Sequence, residues 1–201
     1  MDSEIEAAKP WVEAVSPSFI TLIDINHSLS SLYNMVNVPQ AVWIDENGKI
    51  VRPTESAGSI DILREFDMEI MGFRPEAVER SAAAKATYFN AVEDWAYNGH
   101  KSPYSFDMGA SQARVDLMHG NAATAHTKFQ LAQFLLHIGR KVEANEIFEE
   151  CRHLHPDSWN IFRQTSEKTE SGIAAGEDFW EKVMSLKDKE YYKKIDMPGM
   201  S

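Results

Sequence analysis

Residues 19–53 read FITLIDINHSLSSLYNMVNVPQAVWIDENGKIVRP, and this stretch decides the predicted fold. The apolar, β-rich run Phe19–Ile23 ends at Asp24, which predicts a strand. Apolar residues then recur at the spacing of a short helix with one buried face: Leu29, Leu32, Tyr33 and Val36. The first half of the stretch therefore predicts a strand followed by a helix.

A proline and a tight turn organise the second half of the stretch. Val38-Pro39 interrupts the helical pattern, and residues 41–44 and 49–52 form two apolar runs on either side of Asn47-Gly48. Asn-Gly between apolar runs is a strong hairpin signal, because both residues tolerate a positive φ. Proline has no amide hydrogen to donate, so the start of a strand is one of the few strand positions it can take. The sequence therefore predicts a β-hairpin with Pro39 at the start of its first strand.

The composition and net charge of the chain disfavour some classes of binding partner. The 201 residues are 43% hydrophobic and 25% charged, as in an ordinary globular protein. Acidic residues outnumber basic ones by 31 to 20, and the net charge of −11 disfavours binding to nucleic acid or to anionic membranes. No apolar run is long enough to span a bilayer, and the start shows no leader pattern. We expect no nucleic-acid partner, no membrane-spanning segment and, for the chain as given, a cytoplasmic location.

Helical patterns bracket the hairpin. Residues 1–15 form one such pattern, which Pro10 interrupts, and a long alanine-rich pattern begins at Pro75 and ends near Asn98-Gly99. Between them, residues 54–59 are polar and predict a linker, and residues 60–66 predict a short closing helix.

Residues 128–156 follow the pattern of one tetratricopeptide repeat, which we place at about residues 125–158. Its small and apolar positions recur in register: Leu131, Ala132, Leu135, Gly139, Ala144, Phe148, Cys151 and Pro156. The pattern predicts a helical hairpin in which Leu131 and Leu135 face Ala144 and Phe148. Lys128 stands where the repeat usually has a tryptophan, so the match is incomplete.

Several strings together resemble one family. Val38-Pro39 followed by an apolar strand, Ile-Asp-Glu-Asn-Gly and a second strand resembles the cis-proline hairpin of thioredoxin-fold proteins. The wider resemblance is to the ResA-like redoxins whose active-site signature is Trp-Ala-x-x-selenocysteine-Gly-Cys. It covers EAAKPWVEA at 6–14, VNVPQAVWID at 36–45, GKIVRP at 48–53, EYY at 190–192 and IDMP at 195–198.

The resemblance implies a fold and a site. The expected fold is a partial α/β thioredoxin-like domain at residues 1–66, followed by an all-α domain at 67–201 that contains the tetratricopeptide-like hairpin. The Val38-Pro39 peptide bond would be cis, and Val38 and Pro39 would position an extended substrate beside the active-site thiol. The implied activity is thiol- or selenol-dependent reduction of a protein disulfide or a peroxide.

The chain lacks the residues for that chemistry. Thiol–disulfide exchange needs an attacking thiolate and usually a second thiol, whereas the sequence has one cysteine, Cys151. Its place in the repeat predicts a buried core residue, so no catalytic residue is expected in this chain. We expect the active-site cysteine or selenocysteine upstream of Met1, since a selenocysteine codon read as a stop would shift the predicted start past it. This chain alone is then an inactive fragment.

Two alternatives remain open at this stage. In one, the chain is the substrate-positioning portion of a redoxin whose helical tail contacts a protein partner. In the other, it is a complete, non-catalytic interaction module built on the tetratricopeptide-like tail. His153 and His155 could ligate a metal, but no third ligand stands at useful spacing, so we expect neither a metal site nor a cofactor. A position near the negative end of the helix dipole accounts for both histidines.

Overall fold

A computed structural model describes residues 5–67, 69–118, 120–166, 168–169 and 174–200. The chain divides into two compact units, each built from two separate stretches. The first comprises Met1–Val36 and Leu117–Glu167, and the second comprises Asn37–Asp116 and Lys168–Ser201. Each unit is defined by the contacts among its own residues. The predicted domains at 1–66 and 67–201 stay a prediction.

The first unit is helical in its described residues. Its helices are α1 (Ile5–Val15), α2 (Ser28–Leu32), α5 (Asn121–His137), α6 (Lys141–Leu154) and α7 (Trp159–Thr165). The second unit contains β1 (Gln40–Ile44), β2 (Ile50–Ser56), β3 (Phe66–Asp67), β4 (Gly72–Phe73), α3 (Pro75–Asn98), α4 (Met108–Ala113) and α8 (Glu177–Met184). Short 3₁₀ turns cover Leu63–Glu65 and Gly99–Lys101. No helix among the described residues is both long enough and apolar enough to cross a membrane.

The prediction of a thioredoxin-like α/β domain is wrong. Helices cover 52% of the described residues, so the fold is mostly helical. Its described strands form only two antiparallel pairs, β1 with β2 and β3 with β4. An α/β domain needs a larger sheet with helices over its faces, whereas each sheet here has two strands. The fold is mostly helical with a small β part.

The strand predicted at Phe19–Ile23 is also wrong. The described residues there form neither helix nor strand, and the side chains of Phe19, Ile20 and Leu22 are exposed. An apolar run becomes a strand only when a neighbouring strand satisfies its backbone groups, and no strand of the described chain pairs with it. The predicted buried face of the next helix is wrong too, because α2 buries Ser30 and exposes Leu29 and Leu32.

The predicted β-hairpin is confirmed. β1 and β2 pair antiparallel, and Gly48 takes a φ of 76° in the turn between them. The Asp45 carboxylate accepts the amide hydrogens of Asn47 and Lys49 at 3.0 and 2.8 Å, which fixes the turn. β2 runs to Ser56, however, and so replaces the start of the linker predicted at 54–59. Pro53 is accommodated because the register shifts between the pairs Trp43–Arg52 and Ala41–Glu55.

Two of the predicted helical segments are confirmed. α3 runs from Pro75 to Asn98, with Gly99 at a φ of 55° after its end. The described part of the first segment, α1, is continuous across Pro10; residues 1–4 lie outside the described residues. In place of the closing helix predicted at 60–66 there is only the 3₁₀ turn Leu63–Glu65.

The α5–α6 hairpin has a core of small and aromatic residues. The buried set in this core comprises Ala125, Phe129, Ala132, Leu135, Ala144, Phe148, Cys151 and Ile161. Small side chains allow the helices to approach closely, and the Phe129 and Phe148 rings lie 5.6 Å apart. Leu135 is buried as predicted, but Leu131 is 49% exposed. That part of the prediction is wrong because Ala132, one position further along α5, faces the core.

Candidate functional site

Val38 and Pro39 lie immediately before β1. Their peptide bond is cis, as the resemblance implied. Pro39 is exposed and Val38 is half-buried, so the outer surface of this corner faces solvent. The Pro39 carbonyl accepts the Ala57 amide hydrogen at 3.4 Å, which ties the corner to the end of β2. The predicted substrate-positioning residues therefore lie at an accessible corner of the hairpin; their role stays a prediction.

Both backbone polar groups of Val38 have partners within the chain. The Val38 N–H donates to the Asn37 side-chain oxygen at 2.9 Å, and the Tyr192 hydroxyl donates to the Val38 carbonyl at 2.8 Å. Asn37 is 4% exposed, and its side-chain amide donates to the Tyr191 carbonyl at 2.9 Å. Residues near the end of the chain thus hold the peptide groups on either side of Val38.

Trp43 anchors the hairpin beneath this corner. Its indole N–H donates to the Tyr88 hydroxyl at 2.7 Å, and its ring stacks on Trp95 at 5.1 Å. Burial raises the pKa of the Tyr88 hydroxyl, and the nearby negative charge of Glu55 raises it further, so this hydroxyl stays protonated. Trp43 is 4% exposed, so it belongs to the core of this unit.

Arg52 connects the hairpin to distant parts of the same unit. Its side chain is 1% exposed and donates to both carboxylate oxygens of Glu55 at 2.8 Å. It also donates to the carbonyls of Tyr104, at 2.7 Å, and Asp196, at 2.9 Å. The guanidinium carbon lies 4.3 Å from the centre of the Phe106 ring. A buried charge needs such complete pairing, and here the pairing fixes β2 against residues near the chain end.

The segment at 191–200 completes the core around the hairpin. Tyr191, Ile195, Met197 and Met200 are buried, and the Ser56 hydroxyl donates to the Lys193 carbonyl at 3.2 Å. Sequence reasoning used this segment only for its resemblance to the family and missed its packing role. Its apolar residues among charged ones could have indicated that role, because a solvated tail has no need of them.

Cys151 lies in the core of the helical hairpin, as predicted. It is fully buried, and its thiol donates to the Ala125 carbonyl at 3.3 Å. Burial raises its pKa to about 11, and the nearby Glu150 carboxylate also raises it, whereas Lys128 opposes the shift. A thiol that is buried and protonated at neutral pH is a poor nucleophile.

Three histidines, His126, His153 and His155, lie on α5 and around the end of α6. His153 lies at the end of α6, where its Nδ1 is 2.8 Å from the Glu149 carbonyl oxygen. His126 and His155 lie with ring centres 5.6 Å apart, and His126 Nδ1 is 3.0 Å from the Ser31 hydroxyl. Across the described ranges, no three His, Cys, Asp or Glu residues are grouped so that they could hold a metal ion. Sequence reasoning did not foresee the pairing of His126 with His155.

Comparisons of this chain with protein-family models, with curated proteins and with solved structures give no match. The geometry at Val38 and Pro39 is therefore the basis for a functional proposal.

Proposed function

We propose that this chain is the substrate-positioning part of a redoxin that reduces disulfides or peroxides with a thiol or selenol. The observation that carries the proposal is the exposed Pro39 and half-buried Val38 at the start of a β-hairpin anchored by Trp43. The resemblance of residues 36–45 and 48–53 to ResA-like redoxins supports the same assignment. The proposal concerns this corner and its chemistry, and it requires no larger sheet.

The proposed chemistry places the nucleophile outside residues 1–201. A thiolate attacks one sulfur of a disulfide, the other sulfur leaves as a thiolate, and a second thiol resolves the mixed disulfide. Cys151 cannot take the first role, because its thiol is buried and protonated at neutral pH. The chain on its own is therefore inactive, and the attacking group is a thiolate or selenolate supplied from elsewhere.

In this proposal Val38 and Pro39 bind an extended segment of substrate. The Val38 carbonyl has room for a second hydrogen bond and accepts one from the substrate backbone, and Pro39 presents an apolar surface beside it. Holding the scissile disulfide or peroxide in one orientation lowers the entropic cost of the attack. A protein disulfide, or a peroxide held at the same corner, is the expected substrate class.

The test uses native protein recovered from its source cells with an antibody against residues 121–154. We expect a species that contains a reactive thiol or selenium and reduces insulin disulfides or hydrogen peroxide. In cells carrying Pro39→Ala we expect at least a tenfold loss of this activity at unchanged protein level. Pro103→Ala, at another exposed proline, is the matched control and should retain activity. A native protein near 22.8 kDa with no selenium and no reductase activity would refute the proposal.

A second candidate function is a non-catalytic protein-binding module on the α5–α6 hairpin. It is favoured by an exposed apolar stripe along α5 and the start of α6: Leu131, Phe134, Ile138 and Val142. A photo-crosslinking residue at position 134 would then give one discrete protein adduct in cells, and the same residue at the exposed position 145 would give none. Equal labelling at the two positions would exclude this candidate.

A further inference from the structure

The stretch of residues 11–23 exposes much of its apolar surface. Its large apolar side chains Trp11, Val15, Phe19, Ile20 and Leu22 are each between 72% and 86% exposed. α1, to which the first two belong, buries none of its residues. Exposed apolar surface that is concentrated in one place marks interaction sites in soluble proteins. This stretch therefore has the properties of a surface that another molecule covers.

The backbone of residues 19–23 is as open as their side chains. Within the described part of the chain, none of their N–H or C=O groups is hydrogen-bonded, and the described strands pair elsewhere. The run FITLI consists mainly of β-branched and aromatic residues, which favour an extended strand. Unpaired backbone groups in such a run can pair with a strand of another chain. The run offers a partner both backbone hydrogen bonds and apolar side chains.

The order of residues in this run fits pairing with an identical run. When two copies pair antiparallel about a two-fold axis at Thr21, Phe19 of each copy faces Ile23 of the other. Ile20 then faces Leu22, so the pairs on both sides of the axis are apolar, and threonine faces threonine on the axis itself. Pairs of these kinds stabilise neighbouring strands.

The distribution of charge permits the same pairing. The chain carries a net charge of −11, which opposes self-association in general. Residues 16–23, however, contain no charged side chain, and Asp24 faces Ser18 in this register. Two copies can therefore meet here without placing like charges opposite each other.

The exposed apolar area matches what one partner of a stable dimer buries. With aromatic side chains burying about 150–250 Å² each, the five exposed side chains offer on the order of 800 Å². A standard interface buries about 800 Å² per partner. Two strands alone are only marginally stable, and Trp11 and Val15, one turn apart on the same side of α1, supply further apolar surface.

We propose that residues 11–23 form a homodimer interface, in which residues 19–23 of two copies pair as antiparallel strands about Thr21. The exposed apolar side chains of α1 are buried in the same interface. The molecule that covers this surface is thus a second copy of the chain. The inference is independent of the proposed redox role, because the corner at Val38 and Pro39 takes no part in it.

The first experiment measures the mass of the purified 201-residue chain by analytical ultracentrifugation over a range of concentrations. We expect the mass to rise from 22.8 kDa to twice that value. Ile20→Asp should raise the dissociation constant at least 100-fold, because each dimer would bury two unpaired carboxylates. Phe89→Asp, at a residue 62% exposed on α3, is the matched control and should leave the constant unchanged. Both positions are exposed, so both variants should keep the wild-type circular dichroism spectrum.

Disulfide trapping under mild oxidation tests the register. In Thr21→Cys the two introduced thiols face each other, with Cα atoms about 4.5–5.5 Å apart, so we expect a covalent dimer. Ser18→Cys is the matched control, because its two thiols lie about 20 Å apart along the pair, too far for a disulfide. Cys151 is fully buried and does not compete.

Each measurement can overturn the proposal. A wild-type chain that stays at 22.8 kDa at every concentration would refute the dimer. A dimer that is as tight in Ile20→Asp as in wild type would refute this interface. Equal trapping at positions 18 and 21 would refute antiparallel pairing about Thr21.

Discussion

The molecule contains two hairpins that are stabilised in different ways. The α5–α6 hairpin buries its own small and aromatic residues between its own helices, with Ile161 as the contributor just beyond them. The β1–β2 hairpin has only two strands, and its core residue Trp43 is covered by α3 and by residues from the segment at 195–200. One hairpin is built from neighbouring sequence, and the other is completed by residues more than a hundred positions away.

This difference has a functional consequence. A two-stranded hairpin is marginally stable by itself, so the corner at Val38 and Pro39 depends on the distant segment that holds it. The same segment supplies Tyr192, the partner of the Val38 carbonyl. Structural support for the corner therefore comes from a distant stretch of chain, whereas the buried core of the helical hairpin comes from its own helices and Ile161.

The largest expected effect is at Arg52, which joins the β-hairpin to that segment. Arg52→Ala removes the partner of the Glu55 carboxylate and the donor to the Tyr104 and Asp196 carbonyls. Removing one member of a largely buried ion pair costs about 3–5 kcal/mol, because Glu55, whose side chain is only 13% exposed, then loses its positively charged partner. Urea denaturation of the purified chain, followed by hydrogen exchange at residues 40–56, measures this loss.

Arg114→Ala is the matched control, because Arg114 contacts the same residue of the segment from a solvent-exposed position. Its guanidinium pairs with the Asp196 carboxylate, and both side chains are at least 40% exposed. Exposed pairs contribute about 0–1 kcal/mol. Equal losses of unfolding free energy for Arg52→Ala and Arg114→Ala would contradict the view that the buried contacts of Arg52 stabilise the β-hairpin.

A smaller effect is expected in the helical hairpin. Ala144 is fully buried between α5 and α6, where a larger side chain has no space. Ala144→Leu should cost about 1–3 kcal/mol through overpacking, measured by urea denaturation with hydrogen exchange at residues 121–154. Val142→Ala, at a position 71% exposed, should change stability by less than about 0.5 kcal/mol. A stable Ala144→Leu variant would show that the helices are not closely packed at this point.

The comparison also explains what the sequence could predict. Asn47-Gly48 and Pro75 act on their immediate neighbours, so the turn and the start of α3 were predictable from local rules. The burial of Cys151 followed from helical spacing within one hairpin. The strand at Phe19–Ile23 failed because a strand depends on a partner that local sequence does not specify. The link between Val38 and Tyr192 was unpredictable for the same reason, because 154 positions separate these residues.

Acidification should weaken the helical unit through two buried histidines. Burial lowers the pKa of His126 to about 4, and the adjacent His155 lowers it further. Burial also lowers the pKa of His27, against an opposing effect of Asp24; its ring lies 5.5 Å from that of Phe129. The unfolded chain therefore binds more protons than the folded chain below pH 6.5. The contribution of these histidines to stability is full above that pH and is lost as the pH drops towards 4, which lowers the unfolding free energy by about 3 kcal/mol.

This prediction is checked by the difference in unfolding free energy between wild type and His126→Gln, measured from pH 7.5 to 4.5. The advantage of the wild type should shrink as the pH falls, since glutamine takes up no proton. Val142→Ala, at a residue that is 71% exposed and has no titratable group, should give a nearly constant difference. A constant difference for His126→Gln as well would place His126 in contact with solvent and contradict its burial.

The smallest expected effect is that of Cys151→Ser on disulfide-reducing activity. This substitution tests whether the reactive group lies in the helical hairpin. With a pKa of about 11, Cys151 is a thiolate in only about one molecule in ten thousand at pH 7, against a few per cent for an unperturbed thiol. The purified chain should therefore show no insulin-disulfide reduction, and Cys151→Ser should change nothing. Reduction that disappears in Cys151→Ser would place the reactive thiol in the helical hairpin. The proposal that Val38 and Pro39 position a substrate for a thiol outside this chain would then lose its basis. A negative result in both proteins leaves the α5–α6 hairpin a structural element and the corner at Val38 and Pro39 the place to search for redox function.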